Sequence, residues 1–341
     1  MLTAAYVGDR TMSVEEAEPR PPSPGEVQVE VAYVGICGTD LHILHGAMDA
    51  RVTMPAIIGH EMSGRVVALG DGVTGWSVGD PVTVMPLDWD GTCPACLAGN
   101  EHICQHLDFV GIDSPGALQG RWNVRADLLV PLPADLPLDR AALVEPVAVA
   151  VHDVRRSELA AGDHVVVLGG GPIGVLIAVV ARDAGATVLV SEPDAGRRAM
   201  VDKLGIEAVD PSATDLVAEV ESRTGGAGAD VVFEVSGAAP AVLAATSVAK
   251  VRGTVVVVAI HPKPTPVDLQ RVFWRELRLL GARVYQRTDF ERAVELVASG
   301  VVPADDLITE IVGIDRVADA FSALEAGQAM KVLVDCQGVR A

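Results

Sequence analysis

An α/β chain in two parts is predicted, a compact β-rich domain and a doubly wound parallel sheet, from three observations. The length of 341 residues exceeds what one core ordinarily takes. Before residue 147, short strand-like runs alternate with turns marked by Gly and Pro. From 147 to 284 the rhythm becomes strand, helix, strand, helix.

In the first part EVQVEVAYVG, SGRVVALG, DPVTVMP and DLLVPLP read as strands. In the second, HVVVLG, TVLVSE, DVVFEVS, GTVVVVAI and LRLLGARV are near-continuous Val/Leu/Ile runs, as strands covered on both faces require. IGVLIAVVARDAG and DAGRRAMVDKLG are helical stretches between them. Beyond 285, DFERAVELVASG and DRVADAFSALEAG read as helices and KVLVDC as a strand.

Half of the residues are apolar and the net charge is −20. An acidic surface repels phosphate backbones and anionic lipids, which argues against nucleic-acid and membrane partners. No uninterrupted apolar run reaches the ~18 residues of a membrane span. The opening MLTAAYVGDR does not read as a signal peptide, so a soluble cytoplasmic protein is expected. Five cysteines are too few and too odd a set for a disulfide framework, and four lie in the first third. Clustered cysteines in a reducing compartment point to metal binding or catalysis. Cys336, in the apolar run KVLVDC, reads as a structural residue.

Gly169, Gly171 and Gly174 form G-x-G-x-x-G directly after a strand and at the start of a helix, with Gly170 between the first two and Pro172 and Ile173 between the last. That context is the dinucleotide fingerprint of a Rossmann domain: a tight turn, close approach to a pyrophosphate, and free N–H groups at a helix N-terminus. Glu192 ends the second strand, where a carboxylate accepts ribose hydroxyls and repels a 2′-phosphate, so NAD is favoured over NADP. Arg197 stands where it would stack on adenine or neutralise a phosphate.

The first part carries Cys37 in GICGTDLH, adjacent His60 and Glu61 in GHEMSGRVVALG, and Glu145 in LVEPVAVAVH. One Cys, one His and a carboxylate, with a position left open, is the ligand type of catalytic zinc. WDGTCPACLAGNEHIC holds three more cysteines, Cys93, Cys96 and Cys104. By themselves they fit an unfinished zinc site, a disulfide with a spare thiol, or a site completed by another residue type.

These segments, with EPVAVAVH and GGGPIG, occur in the order found in the zinc-dependent medium-chain alcohol and polyol dehydrogenases, which the whole chain resembles. ALVEPVAVAVHDVRRS, VSEPDAGRRAMVDKLG and LRLLGARVYQRTDFERAVELVASG look most like 2,3-butanediol dehydrogenases, then threonine and sorbitol dehydrogenases. The resemblance implies a GroES-like catalytic domain at 1–147 and 285–341 and a Rossmann domain at 148–284. It also implies two zinc ions per chain, NAD, a homodimer or homotetramer, and a small alcohol or diol as substrate.

Residue by residue, the family implies that Cys37 and His60 hold catalytic zinc. Glu61 is then a ligand or the group that exchanges with water, and Glu145 takes the last protein position. Asp40 orients His60, and Thr39 and His42 relay the proton of a secondary alcohol oxidised to a ketone. The family's structural lobe is spaced C-x2-C-x2-C-x7-C. Counting back from Cys104, Cys96 and Cys93, the first position falls on Asp90, an acceptable zinc ligand. The chain departs from the family at 116–122, where GALQGRW replaces a G-G-F-A-E-Y stretch. Trp89 and Trp122 are read as packing residues before pocket residues. A non-catalytic, redox-sensing nucleotide-binding protein is the alternative of another class, disfavoured because Cys37, His60 and the relay are all present.

Overall fold

The computed structural model describes residues 1–327 and 329–338. The chain divides into two compact units, Met1–Glu145 with Gln286–Ala341, and Pro146–Tyr285.

The first unit is built on a sheet ordered Ile308–Gly313, Lys331–Asp335, Glu26–Ile36, Glu61–Leu69, Pro81–Val84 and Leu129–Pro131, with Arg121–Arg125 also pairing to Glu26–Ile36. Glu26–Ile36 is the hub. Its alternating Val27, Val29, Val31 are wholly buried, and it is bonded to three other strands. Its register sets Gly35 opposite Glu61 and Ile36 opposite Val332. Strand Ile308–Gly313, which the sequence reading did not anticipate, runs parallel to Lys331–Asp335 at the sheet edge.

The second unit is a six-stranded, wholly parallel sheet ordered Glu207–Val209, Thr187–Ser191, His164–Leu168, Ala229–Glu234, Ala249–Val257, Arg278–Gly281. The strand that comes first in sequence, His164–Leu168, lies in the middle, so the order reverses beside it, which makes a topological switch point. Val165, Val166, Val167 and Leu168 are almost inaccessible, as are Val231, Val232 and Phe233. Each such side chain contributes roughly 1.5–3 kcal/mol by burial, against a net ~0.5–1.5 kcal/mol for a ladder hydrogen bond. The continuous apolar runs, more than the ladder, therefore specify these as central strands. Helix Pro172–Asp183 starts with Pro in its first turn, follows the N-cap Gly171, and is buried all round from Val175 through Ala181. Gly174 is what lets it approach: a Cβ there would lie 1.9 Å from the Gly169 carbonyl oxygen.

Candidate metal centre and cofactor loop

The metal-type residues of the first unit are brought together by two neighbouring strands and one short helix. Cys37 follows Glu26–Ile36 and is the N-cap of helix Gly38–Leu44. Its Sγ accepts from Thr39 N at 3.2 Å, while its own N–H donates to Asp40 Oδ2 at 3.0 Å. This reciprocal cap orients the sulfur and Asp40 together. His60 and Glu61 sit at the start of the adjacent strand, nearly inaccessible.

Cys37 Sγ and His60 Nε2 are 3.2 Å apart, and Cys37, His60 and Glu61 each present a ligand atom within 4.8 Å of the others. A tetrahedral zinc with one thiolate and one imidazole sets that edge at about 3.5 Å, so the pair fits the ion. His60 Nδ1 faces Asp40 Oδ1 at 3.7 Å, and both atoms are buried without a hydrogen-bond partner. Burial by itself would lower the His60 imidazole, but the surrounding charges of Cys37, Asp40 and Glu145 together push it well above its ordinary value. Burial, followed by the Asp40 charge, pushes the Cys37 thiol up. Such a surplus of buried negative charge is what a divalent cation relieves.

Glu145 is buried and close enough for its charge to act on His60, yet it is not one of the tight Cys37–His60–Glu61 group. Thr39 is half-buried and His42 exposed, one turn apart on the same helix. Sequence reasoning missed Lys331. Its ammonium is buried and lies 2.8 and 2.6 Å from the two Glu61 oxygens. The signal was available, since KVLVDC puts a lysine at the head of an apolar strand.

The segment at 116–122 supports the backbone that leads into His60. Gly116, Ala117 and Leu118 donate to the carbonyls of Ile57, Gly59 and Ile58 at 2.7, 2.9 and 3.0 Å. Gly111 and Gly116 have no room for a Cβ, which would meet Gly59 O at 2.4 Å in each case. The Phe109 ring stands edge-on to His60 at 5.2 Å. Asp113 fixes that turn by accepting from Phe109 N and pairing bidentately with Arg51 at 2.6 Å. Trp122 is buried with its indole donating to Pro115 O, and Trp89 packs on the cysteine cluster, so both serve packing.

In the lobe, Cys93 Sγ lies 3.5 Å from Cys96 Sγ and 3.8 Å from Cys104 Sγ. These separations match the ~3.8 Å edge of a zinc–thiolate tetrahedron and are far from a disulfide bond; all five cysteines are free. Asp90 completes a group whose ligand atoms lie within 4.8 Å of one another. Its Oδ1 accepts from Thr92 N and Cys93 N at 2.8 and 2.9 Å, and Oδ2 lies 2.5 Å from His106 Nδ1. His106, then these backbone donors, holds the Asp90 carboxyl well below the usual range. Backbone N–H groups at Gln105 and then Cys96 bring the Cys93 thiol down to about 7, whereas burial drives Cys96 up to about 12.

In the second unit Gly169 takes φ +119° and Gly171 opens helix Pro172–Asp183, with Ile173 in its first turn. A Cβ on Gly171 would meet only Arg197 Nη1, at 4.0 Å, so the loop is bare where a phosphate approaches. The Glu192 carboxylate is buried and bridges the N–H groups of Gly170 and Asp194 at 2.7 and 2.8 Å. Gly170, passed over by the spacing rule, gives it room: a Cβ there would stand 3.0 Å from Glu192 Cβ and Cγ. A cavity of 450 Å³ in this unit takes in Glu234 and Val257, the last residues of their strands, together with His261 and Thr265.

Residues 23–134 match the Alcohol dehydrogenase GroES-like domain, and 172–299 match the Zinc-binding dehydrogenase domain. The 2-dehydro-3-deoxy-L-galactonate 5-dehydrogenase of Pseudoalteromonas atlantica is 52% identical over 337 residues, covering 98% of this chain and 99% of that protein. The sorbitol dehydrogenase of Halalkalibacterium halodurans is 33% identical, covering 98% of each. The crystal structure of 2R,3R-butanediol dehydrogenase from Bacillus subtilis superposes with a TM-score of 0.90 at 33% identity, over 98% of this chain and 99% of that one. A structure from Sinorhizobium meliloti 1021 with NADP bound gives 0.92 at 34% identity, with the same coverage.

Proposed function

The chain belongs to the zinc-dependent medium-chain dehydrogenases, and from that premise we propose that it oxidises a secondary hydroxyl of a polyhydroxylated acid with NAD. The observation that carries the substrate class is the 52% identity, end to end, to a dehydrogenase named for C5 of a deoxy sugar acid. A polyol or vicinal diol is the second reading, favoured by the more distant sorbitol and butanediol relatives.

Cys37 and His60 hold the catalytic zinc in this reading, with Glu145 or Glu61 as the carboxylate ligand, and Asp90, Cys93, Cys96 and Cys104 hold the structural zinc. When bound, zinc polarises the substrate hydroxyl and the dinucleotide takes up the hydride. Asp40 fixes the His60 ring from its Nδ1 side. Thr39, tied by its backbone to Cys37 Sγ, accepts the hydroxyl proton, and His42, one turn on and open to solvent, carries it away. Gly169, Gly171, Pro172, Ile173 and Gly174 shape the pyrophosphate loop. Glu192 disfavours a 2′-phosphate, and Arg197 beside Gly171 lies ready for the adenosine half.

Self-association into a dimer or tetramer belongs to the same reading. Strand Arg278–Gly281 is a sheet edge with no outer partner among the described residues, and its own Leu279 is exposed, as are Phe273 and Trp274 of the helix before it.

The reading is tested by assaying sugar acids, sugar alcohols, diols and threonine with NAD and NADP, together with Cys37→Ala. Turnover should be highest on a sugar acid with NAD. Cys37→Ala should bind NAD as before and lose turnover by at least ~10³-fold. Oxidation by Cys37→Ala at the wild-type rate would remove the catalytic zinc assignment, and a preference for simple diols would move the substrate to the second reading.

A further inference from the structure

Glu234 ends strand Ala229–Glu234 with 1% of its surface exposed, opposite Leu168 in register, and the residue after Leu168 is Gly169. A buried carboxylate beside a loop shaped for a pyrophosphate is costly unless it is paired and hydrogen-bonded. Every Glu234 oxygen is engaged. Oε1 accepts from Ser236 N at 3.1 Å, Ser236 Oγ at 2.9 Å and Gly237 N at 2.8 Å. Oε2 lies 3.2 Å from His261 Nε2, which donates because a carboxylate only accepts. His261 Nδ1 faces Thr265 Oγ1 at 3.4 Å. The Glu234 carbonyl accepts from Val258 N and Ala259 N at 2.9 and 3.1 Å. One residue thus ties the loop after its own strand to the loop after strand Ala249–Val257.

The two loops touch, since a Cβ on Gly237 would meet Ala259 Cβ at 3.5 Å. The first also meets the glycine loop, where a Cβ on Gly169 would stand 3.2 Å from Ser236 Cβ. The second has a hollow against it: Pro262, Pro264 and Val267 line the 450 Å³ cavity together with Leu279 and with Val242 and Ala245 of helix Ala239–Val248. Neither proline has an N–H to donate. The seat of this loop therefore depends on its polar ties, and His261–Glu234 anchors it to a central strand.

A dinucleotide lies across the carboxyl ends of the strands at the switch point, one half to each side. Glu192 follows strand Thr187–Ser191 on one side, so the nicotinamide half falls to the loops after Glu234 and Val257 on the other. We propose that Glu234 and His261 are positioning residues, a clasp that holds these two loops in the arrangement that receives the nicotinamide half. This rests on the reading of the glycine loop as the pyrophosphate site. With the clasp closed the loops are set before the cofactor arrives, and binding carries little cost for ordering them. With it open the second loop has the cavity to sink into, and the ordering cost falls on the nicotinamide half alone.

The test measures binding of NAD, and of ADP, which lacks the nicotinamide half, to the full-length protein by calorimetry. His261→Leu removes the donor at a side chain that is 19% exposed, and it should raise the NAD Kd on the order of tenfold. Its ADP Kd should stay within about twofold of wild type. His261→Gln keeps an N–H donor and should recover most of the NAD affinity. Glu234→Ala should match or exceed the loss in His261→Leu; if that variant fails to fold, the two His261 variants still decide. Unchanged NAD binding in His261→Leu would overturn the proposal. So would an equal loss of NAD and ADP, which marks a general loosening of the unit, or a His261→Gln variant no better than His261→Leu. A wild-type protein that binds neither NAD nor ADP is a distinct result, in which the glycine-loop reading itself fails.

Discussion

Glu26 shows how a single surface-proximal residue is tuned by its partners. Arg20 grips its carboxylate through two bonds of 2.7 and 2.8 Å, and Ser23 N donates at 2.8 Å. Arg20, acting through these bonds, lowers the Glu26 carboxyl from an ordinary 4.5 to about 2. Because the folded pKa is depressed, the stabilisation is present above about 4.5 and is lost as pH falls through 2. Arg20 is more than half exposed, so solvent screening limits the contribution to about 1 kcal/mol. Glu26→Gln should accordingly lower unfolding stability by about that amount at pH 7, with the gap closing on titration toward pH 2. Denaturant melts across that range check it; a gap of equal size at both ends would rule the pair out. Lys331 and Glu61 are the opposite case, an ion pair buried on both sides whose desolvation cost offsets its attraction.

At the scale of the element, the lobe around Cys93–Cys104 has little besides its sulfurs to hold it. Its helix Pro94–Leu97 has four residues, and its buried cluster is the three cysteines, with Trp89, Ala95 and Leu107 packed against them. Asp90 has two tasks there, because the oxygen that caps Thr92 and Cys93 is separate from the one beside His106. Asp90→Ala removes both and so cannot isolate coordination. Asp90→Asn keeps the turn cap but loses the anionic ligand. Elemental analysis should therefore find a second zinc in wild type and in Asp90→Cys and find it depleted in Asp90→Asn, with a melting temperature lower by several degrees. Full zinc content in Asp90→Asn would reduce Asp90 to a turn residue. The glycine loop is an element of another kind, specified by close approach: Gly170 makes room for Glu192, and Gly174 for the Gly169 carbonyl.

For the whole molecule, the exposed edge strand and its apolar neighbours bear on assembly. An open edge flanked by Phe273 and Trp274, each more than 70% exposed, is a liability in an isolated chain. Trp274→Glu is expected to shift the sedimentation profile from oligomer toward monomer by at least half of the material at micromolar concentration. An oligomer unaffected by that change, or a wild-type monomer, would place the contact elsewhere or remove it.

Local pattern alone determined much of this protein. Apolar runs of strand length identified the parallel sheet, because burial on both faces leaves no polar alternation. Fixed spacing picked out the glycine loop, because a pyrophosphate turn constrains residues close in sequence, and it drew attention to the clustered cysteines while leaving their reading open. The resemblance added the fold of the first unit and the roles proposed for Cys37, His60 and Asp90. Tertiary structure decided whatever depends on residues far apart in the chain. Strand register across Gly35 joined Lys331 to Glu61, 270 positions away. The stacked backbones of Gly59, Gly111 and Gly116 put residues 116–118 against the Ile57–Gly59 backbone that leads into His60. Neither is written in a local period or spacing, since both arise only when sheet pairing brings separate segments to within a van der Waals contact.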